Sequence, residues 1–304
     1  MNNRRLSYIS TAAILSLSVS AEAANWTPLS SSAKAHSVEV TSSSNFPIPA
    51  VLATRGGALR FTLVGGGEGG HGSRASCDDY AVQGGKGGDG GEVIELEINL
   101  LPGQCTAGIG ISIGGAGRGA FRSGSSSGTG EPGGATSVTC AGTTMASALG
   151  GGRRADAFTA PRSAKGGIGG VVMNTLDQAS LQTIDQRATA ITAATEGQSG
   201  RGGYGSGGGG GGASSAFTGS AVKADGTVIR KATTRNAPMG KSGYGAGAGA
   251  GPAEYSSESN YFPAENAVQY GAGGGGGAAM CGGAPSVRDG GNGLAGMVKI
   301  QWSE

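Results

Sequence analysis

Alternating apolar and polar residues predict a chain built mainly of short strands. The clearest alternation runs from Glu92 to Leu100, where Ile94, Leu96, Ile98 and Leu100 fall on one side. Successive side chains of a strand point to opposite faces, so this segment is predicted to be half buried. Similar patterns predict further strands at Ser37–Val40, Leu59–Val64, Gly108–Ile113, Ala135–Cys140, Thr227–Lys231 and Met297–Trp302.

One segment has the spacing of a helix instead. No glycine occurs between Val171 and Glu196, and Leu181, Ile184, Ala188 and Ile191 recur at intervals of three and four. That spacing predicts a helix inserted at about residues 174–195 and ended by Gly197. Its apolar stripe is expected to pack on its own domain, with an oligomerising role as the alternative.

Glycine dominates the composition, with 65 of 304 residues gathered into dense runs such as 65–70, 207–212 and 273–277. Glycine lowers the stability of helices and strands and contributes no side chain to a core. The runs are therefore either flexible linkers or bundled chains of the polyproline-II type, which pack too closely for any side chain. Aromatic residues make up only 5% of the chain. Backbone hydrogen bonds between glycine-rich segments are expected to supply much of its stability.

The first 23 residues are typical of an export signal. Arg4 and Arg5 precede an apolar stretch, and Ala21-Glu22-Ala23 is a small-residue cleavage site. We therefore expect a mature domain over residues 24–304, secreted through the periplasm to the cell surface or outside the cell. The later sequence offers no segment apolar and long enough to span a membrane.

The remaining composition disfavours several classes of partner and chemistry. Basic and acidic residues are nearly balanced and unclustered, which argues against nucleic acid. Gly124–Gly128 matches G-x-S-x-G but lacks the strand and helix of a nucleophile elbow, so no enzyme is expected. Asp78, Asp79 and Asp89 are interpreted as solvated loop acids in preference to calcium ligands. We predict no cofactor and no metal.

Four cysteines in an oxidising compartment predict two disulfides among Cys77, Cys105, Cys140 and Cys281. Sequence permits three pairings; Cys77 with Cys281 is attractive because both lie beside glycine-rich loops, but the pairing stays open. The spacing contains no C-x-x-C, which disfavours a zinc site.

Aromatic residues in irregular segments are the candidate ligand-binding residues. Rigid rings on loops commonly contact sugars or protein partners, whereas the simpler interpretation of each ring is a small local core. The candidates are Tyr80, Phe121, Phe158, Tyr255, Tyr261, Phe262 and Tyr270.

The order of these pieces resembles the glycine-rich domain of bacteriophage tail fibres and tail-tip adhesins. The resemblance rests on Phe61–Gly67, Gly84–Gly91, Leu101–Gln104, Ile113–Gly117 and Pro132–Ser137, and on the closing run from Gly293 to Trp302. It implies a β-rich body, in some members with stacked polyglycine-II helices, whose loops recognise a receptor on a cell surface. With its export signal, this chain resembles a secreted relative of those proteins.

Together these observations predict a mainly β fold with stacked, polyglycine-II-like segments, one inserted helix and disulfide staples. The predicted function is non-enzymatic adhesion, in which loops bind a cell-surface glycan or protein receptor, alone or at the end of an appendage. The alternative is a structural matrix, coat or fibre protein whose glycine segments self-associate.

Overall fold

The computed structural model describes the chain from residue 34 onward, with gaps. The longer described ranges are 34–76, 81–123, 126–153, 264–282, 284–287 and 289–304. The shorter ones are 163–164, 172–174, 191–194, 207–209, 214–216, 221–222, 228–229, 235–236, 246, 251–252 and 261–262. The predicted export signal, residues 1–23, lies outside the described residues.

Most described elements are short strands. The first group comprises β1 (Ala35–Val40), β2 (Ser44–Phe46), helix α1 (Ala50–Arg55), β3 (Gly57–Val64), β4 (Arg74–Ser76), β5 (Ala81–Gln83), β6 (Val93–Leu100), β7 (Ile109–Ser112), β8 (Arg122–Ser123), β9 (Ser126–Ser127), β10 (Thr136–Cys140) and β11 (Thr143–Ala148). The second comprises β12 (Ser163–Ala164), β13 (Val172–Asn174), β14 (Ile191–Ala194), β15 (Ser214–Ala216), β16 (Ala221–Val222), β17 (Val228–Ile229), β18 (Arg235–Asn236), β19 (Gly251–Pro252), β20 (Tyr261–Phe262), β21 (Ala279–Gly282), β22 (Ala284–Val287) and β23 (Met297–Ser303).

Two antiparallel sheets hold the main hydrophobic core. One has the order β1-β23-β3-β6-β12 and the other β11-β10-β7-β2. Alternate residues from both sheets meet in one buried cluster, including Leu59 and Phe61 of β3, Ile109 of β7, Val138 of β10 and Ile300 of β23. The two sheets therefore pack face to face and form what we call the sandwich.

The strand predictions for the sandwich are confirmed. The segment from Glu92 to Leu100 forms β6, with Ile94 and Leu100 buried. It pairs with β3 along its whole length, from Gly57 opposite Leu100 to Val64 opposite Val93. The terminal strand β23 lies between β1 and β3. Helix α1 and strand β11 were not predicted from the sequence.

The predicted helix at about residues 174–195 is wrong at both ends. Asn174 ends β13, Ile191 begins β14, and the two strands pair antiparallel, with Val172 opposite Ala194. β-Branched residues at these ends favour an extended chain, and the ladder pairs their backbone groups. The middle of the predicted helix, residues 175–190, lies outside the described residues.

A disulfide joins Cys105 to Cys140. It links the turn that follows β6 to the end of β10, and so connects the two sheets of the sandwich. Cys105 is buried in the sandwich core. Of the other two cysteines, Cys281 lies on β21 and Cys77 lies outside the described residues.

Residues 65–72, which we call the central segment, donate hydrogen bonds in a pattern that repeats every third residue. Gly65, Glu68 and His71 donate to the carbonyl oxygens of Glu92, Asp89 and Lys86; Gly66, Gly69 and Gly72 to those of Gly134, Glu131 and Gly128; Gly67 and Gly70 to those of Leu294 and Gly291. Each acceptor number falls by three as the donor number rises by three. Three neighbouring segments therefore run antiparallel to the central segment, each on a different side.

The carbonyl oxygens of the central segment bond to three further neighbours. Gly117 and Ala120 donate to Gly67 and Gly70, Gly274 and Gly277 donate to Glu68 and His71, and Gly151 donates to Gly66. In the first two of these pairs both numbers rise together, so those neighbours run parallel. The central segment thus has six neighbours, at residues 86–92, 114–121, 128–134, 149–151, 271–277 and 290–295.

These six neighbours also bond to one another and close a ring. The N–H of the first residue donates to the carbonyl of the second in the pairs Gly88–Gly274, Gly291–Gly275, Gly293–Gly117, Glu131–Arg118, Gly133–Gly151 and Glu92–Leu149. The central segment and its ring form what we call the glycine bundle. It is held largely by main-chain hydrogen bonds, which need close approach of one backbone to the next.

Close approach explains why glycine fills the central segment. A Cβ atom on Gly69 would lie 2.0 Å from the carbonyl oxygen of Arg118, and one on Gly70 would lie 1.8 Å from that of Gly275. Both distances are far shorter than any real carbon–oxygen contact, and the obstructing atoms are backbone. No rotamer change can relieve such a clash.

Replacing Gly69 with alanine should therefore destabilise the protein, because the added methyl must displace a neighbouring main chain. We expect a loss of about 2 kcal/mol or more in unfolding free energy, from the typical cost of overpacking. Urea denaturation measures the loss. Gly115→Ala is the matched control: a Cβ there meets nothing within 4 Å, so a change within about 0.5 kcal/mol is expected in dilute, monomeric protein. Equal losses in the two variants would contradict the steric account.

Candidate binding surface

The two ends of the glycine bundle lead to different structures. Strands β3 and β7 run directly into the central segment and residues 114–121, and β6, β10 and β23 follow directly from three other bundle segments. All of these strands belong to the sandwich. The sandwich therefore lies at one end of the bundle.

Short strand pairs lie at the opposite end. Strands β4, β8 and β21 follow bundle segments, and β5 and β9 precede them. The chain order places all five at the end where His71 bonds to Lys86 and Gly72 to Gly128. These strands, with β22, are called the tip strands.

The tip strands belong to two sheets, the second of which also contains β15 and β18. One sheet has the order β5-β4-β9-β8, and the other has the order β18-β15-β21-β22. Strand β4 contacts both β21 and β22. At the base of the tip, the buried hydroxyl of Ser73 donates to the carbonyl oxygen of Ala278 at 2.5 Å. The tip is thus joined to the bundle by a side chain as well as by the continuing main chain.

Two of the predicted binding residues have described, exposed side chains. Phe121 is 82% exposed and directly precedes tip strand β8. Tyr270 is 36% exposed and directly precedes the bundle segment 271–277. Tyr261 and Phe262 form β20, which pairs with β19. Tyr80, Phe158 and Tyr255 lie outside the described residues.

The structure does not bring Phe121 and Tyr270 together. Ala120 bonds to Gly70 near the tip, whereas Gly271 accepts from Gly91 near the sandwich. Extended chains rise about 3 Å per residue, so the two rings are displaced along the bundle by roughly 20 Å. They do not form one site. Phe121 is the one whose position adjoins the tip.

A cluster of charged side chains surrounds the buried carboxylate of Glu68, between the central segment and segment 86–92. The Glu68 carboxylate accepts a hydrogen bond from the Asp89 N–H at 2.8 Å and lies 3.2 Å from His71 Nε2. Lys86 Nζ lies 2.8 Å from Asp89 Oδ1. Glu68 is only 6% exposed, and its side chain packs against Gly152, whose φ is +76°.

The geometry of this cluster indicates a structural role. The Glu68 side chain adds a hydrogen bond between the central segment and segment 86–92 to the main-chain hydrogen bonds that already join them. A buried carboxylate is costly without hydrogen-bond partners, and this contact provides one. Sequence reasoning missed it, although Glu68 is the one non-glycine residue between Gly65 and Gly70. Among the described residues, no group of three or more His, Cys, Asp or Glu side chains is arranged to hold a metal ion.

In the ranges that the structure describes, no helix is both long enough and apolar enough to cross a membrane.

Comparison with known families adds one finding. A family model described as a glycine-rich domain matches residues 41–303, which covers the glycine bundle and the sandwich apart from strand β1. No curated protein matches the chain.

Replacing Glu68 with alanine should destabilise the protein, since it removes the acceptor for the Asp89 N–H and the partner of His71. We expect a loss of about 1–3 kcal/mol, the usual cost of a buried polar group left unpaired. Glu39→Ala is the control: Glu39 is an exposed glutamate on β1, and its loss should change stability by no more than about 0.5 kcal/mol. Thermal and urea unfolding measure both. Indistinguishable stabilities would show that Glu68 is not a structural connection.

Proposed function

Because the chain belongs to the glycine-rich domain family, we propose that it is an exported, non-enzymatic receptor-binding protein. In this proposal the glycine bundle holds the tip strands and their loops in place, and these bind a glycan or protein on a cell surface. One observation carries the proposal: the chain order and the main-chain hydrogen bonds put the tip strands at the end of the bundle remote from the sandwich.

The proposal includes a polyglycine-II arrangement of the bundle. Donors that repeat every third residue and six neighbours around one chain are the features expected when three-residue-per-turn helices pack in parallel rows. Strands of a sheet would instead bond to two neighbours, on opposite edges. The bonds of the central segment therefore support the polyglycine-II interpretation over a sheet.

A body of this kind suits recognition. Binding loops are commonly positioned by a rigid scaffold, because loops that are already ordered lose less entropy on binding. The connection between β4 and β5 is only residues 77–80 and includes Asp78, Asp79 and Tyr80. An aromatic ring with adjacent carboxylates provides both a stacking surface and hydrogen-bond acceptors for a sugar or polar protein surface.

The resemblance to bacteriophage tail fibres and tail-tip adhesins supports the same function. Those proteins recognise receptors through loops carried on a glycine-rich body. The leader over residues 1–23 has the features of an export signal, so we propose that a cell exports this chain, through the periplasm, to its surface or surroundings. Self-association into a matrix or fibre is the alternative function.

Saturable binding of the labelled protein to a panel of bacterial cells, host cells and glycans tests the proposal. Tyr80→Ala should weaken binding at least about tenfold, as loss of an aromatic anchor commonly does. Tyr270→Ala is the matched control, because Tyr270 is exposed at the opposite end of the bundle, and it should bind like the unchanged protein. A Tyr261→Ala/Phe262→Ala variant tests the remaining late aromatic pair.

Two results would contradict the proposal. Absence of binding across the panel, with concentration-dependent fibres instead, would favour the structural alternative. Equal losses in Tyr80→Ala and Tyr270→Ala, at unchanged stability, would mean that binding does not depend on the tip.

A further inference from the structure

One side of the glycine bundle is exposed and has a regular layout. It consists of segments 114–121 and 128–134, which we call the open face. These segments run antiparallel: Gly134 donates to Gly115, Glu131 to Arg118, and Gly128 to Phe121 at 3.4 Å. Ala116, Arg118, Phe121, Thr129, Glu131 and Pro132 are all exposed there.

At two positions on the open face, neither packing within the chain nor the backbone conformation requires glycine. A Cβ at Gly115 or Gly128 would meet nothing within 4 Å, and neither residue has a positive φ. At the other glycines of these two segments a Cβ would lie within 3 Å of a backbone atom; these are Gly114, Gly117, Gly119, Gly130, Gly133 and Gly134. Glycine lowers stability relative to alanine by roughly 0.5–1 kcal/mol where nothing requires it. Close approach of another molecule would account for its presence here.

Several main-chain groups of the open face have no main-chain partner among the described residues. The N–H groups of Ala116 and Arg118 and the carbonyl groups of Thr129 and Pro132 make no main-chain hydrogen bond to another described residue. Elsewhere the outer side of the ring is bonded to additional chain, where Gly209 donates to Gly88 and Gly275 donates to Glu265. The hydrogen-bond network thus extends outward on one side of the bundle and ends at the open face. Unpaired main-chain groups in a row are a template for another chain.

The exposed side chains of the open face complement one another. Arg118 and Glu131 carry opposite charges at the same level of the bundle, and Phe121 lies at the same level as Gly128. A second copy, rotated by a two-fold axis parallel to the bundle, would bring segment 114–121 against segment 128–134 of that copy. Arg118 would then face Glu131 of the second copy, and the Phe121 ring would face the space beside its Gly128.

We propose that the open face binds the open face of a second copy of this chain and forms a symmetric dimer. A two-fold contact uses every such pair twice, so both Arg118–Glu131 pairs and both Phe121–Gly128 contacts form together. The dimer pairs the exposed N–H groups, covers the 82% exposed ring of Phe121, and explains why residues 115 and 128 are glycine. It does not depend on receptor binding.

Sedimentation equilibrium of the full, folded protein over a wide concentration range tests the dimer. Arg118→Glu and Glu131→Arg should each raise the dissociation constant at least about tenfold, because each places like charges opposite one another. The double variant Arg118→Glu/Glu131→Arg restores opposite charges and should dimerise nearly as well as the unchanged protein. Gly128→Leu should also weaken the dimer, since it fills the space for the ring. Arg153→Glu, an exposed charge reversal outside the open face, is the control and should have no effect.

Restoration by the double variant is the result that supports this alignment. The proposal would be overturned if the protein stays monomeric at every concentration, or if it dimerises with the same dissociation constant in all of these variants. Failure of the double variant to recover dimerisation would overturn the two-fold alignment. Stability of each variant is measured in parallel, so that a folding defect is not taken for lost association. Receptor binding by the monomeric variants separates this proposal from the proposed function.

Discussion

The structure depends on one requirement: each main-chain N–H of the central segment must donate a hydrogen bond to a carbonyl oxygen of a neighbouring segment of the same chain. Residues 65–72 meet it by bonding to a different neighbour at each step and to the same neighbour every third residue. Buried main-chain groups without partners are costly, so the neighbours must come close enough for N–O distances near 2.9 Å. At that separation a Cβ atom on Gly69 or Gly70 would overlap a carbonyl. Glycine is the residue that satisfies both conditions.

This requirement organises the rest of the molecule. The sandwich supplies a conventional core around Leu59, Phe61 and Ile300, and its strands feed the bundle segments directly. At the other end the same segments continue into the tip strands. Main-chain hydrogen bonds between residues far apart in sequence, such as Gly70 and Gly291, connect segments that have few large side chains to pack against one another. A protein with little aromatic content thereby obtains long-range order from its main chain.

The sequence predicts the sandwich well and the bundle only in outline. Alternation around Ile94 identifies β6, because one face of that strand is buried. Glycine runs indicate close packing, but glycines have no side chains whose pattern could reveal which run lies beside which. The pairing of residues 65–72 with 128–134 depends on distant hydrogen bonds. The helical spacing gave a wrong prediction at Asn174 and Ile191, because these residues pair with each other in an antiparallel ladder that the local pattern does not reveal. Of the predicted aromatic site, the exposure of Phe121 could be expected, but its separation from Tyr270 could not.

Hydrogen–deuterium exchange of individual amides tests the central claim most directly. If the main-chain network holds the fold together, the amides of residues 66–70 should exchange only by global unfolding, as slowly as those of β3 in the sandwich core. The N–H groups of Ala116 and Arg118, on the exposed side, should exchange much faster in the dilute protein. Fast exchange at residues 66–70 under native conditions, with β3 still protected, would show that the glycine segments open independently and would contradict the account.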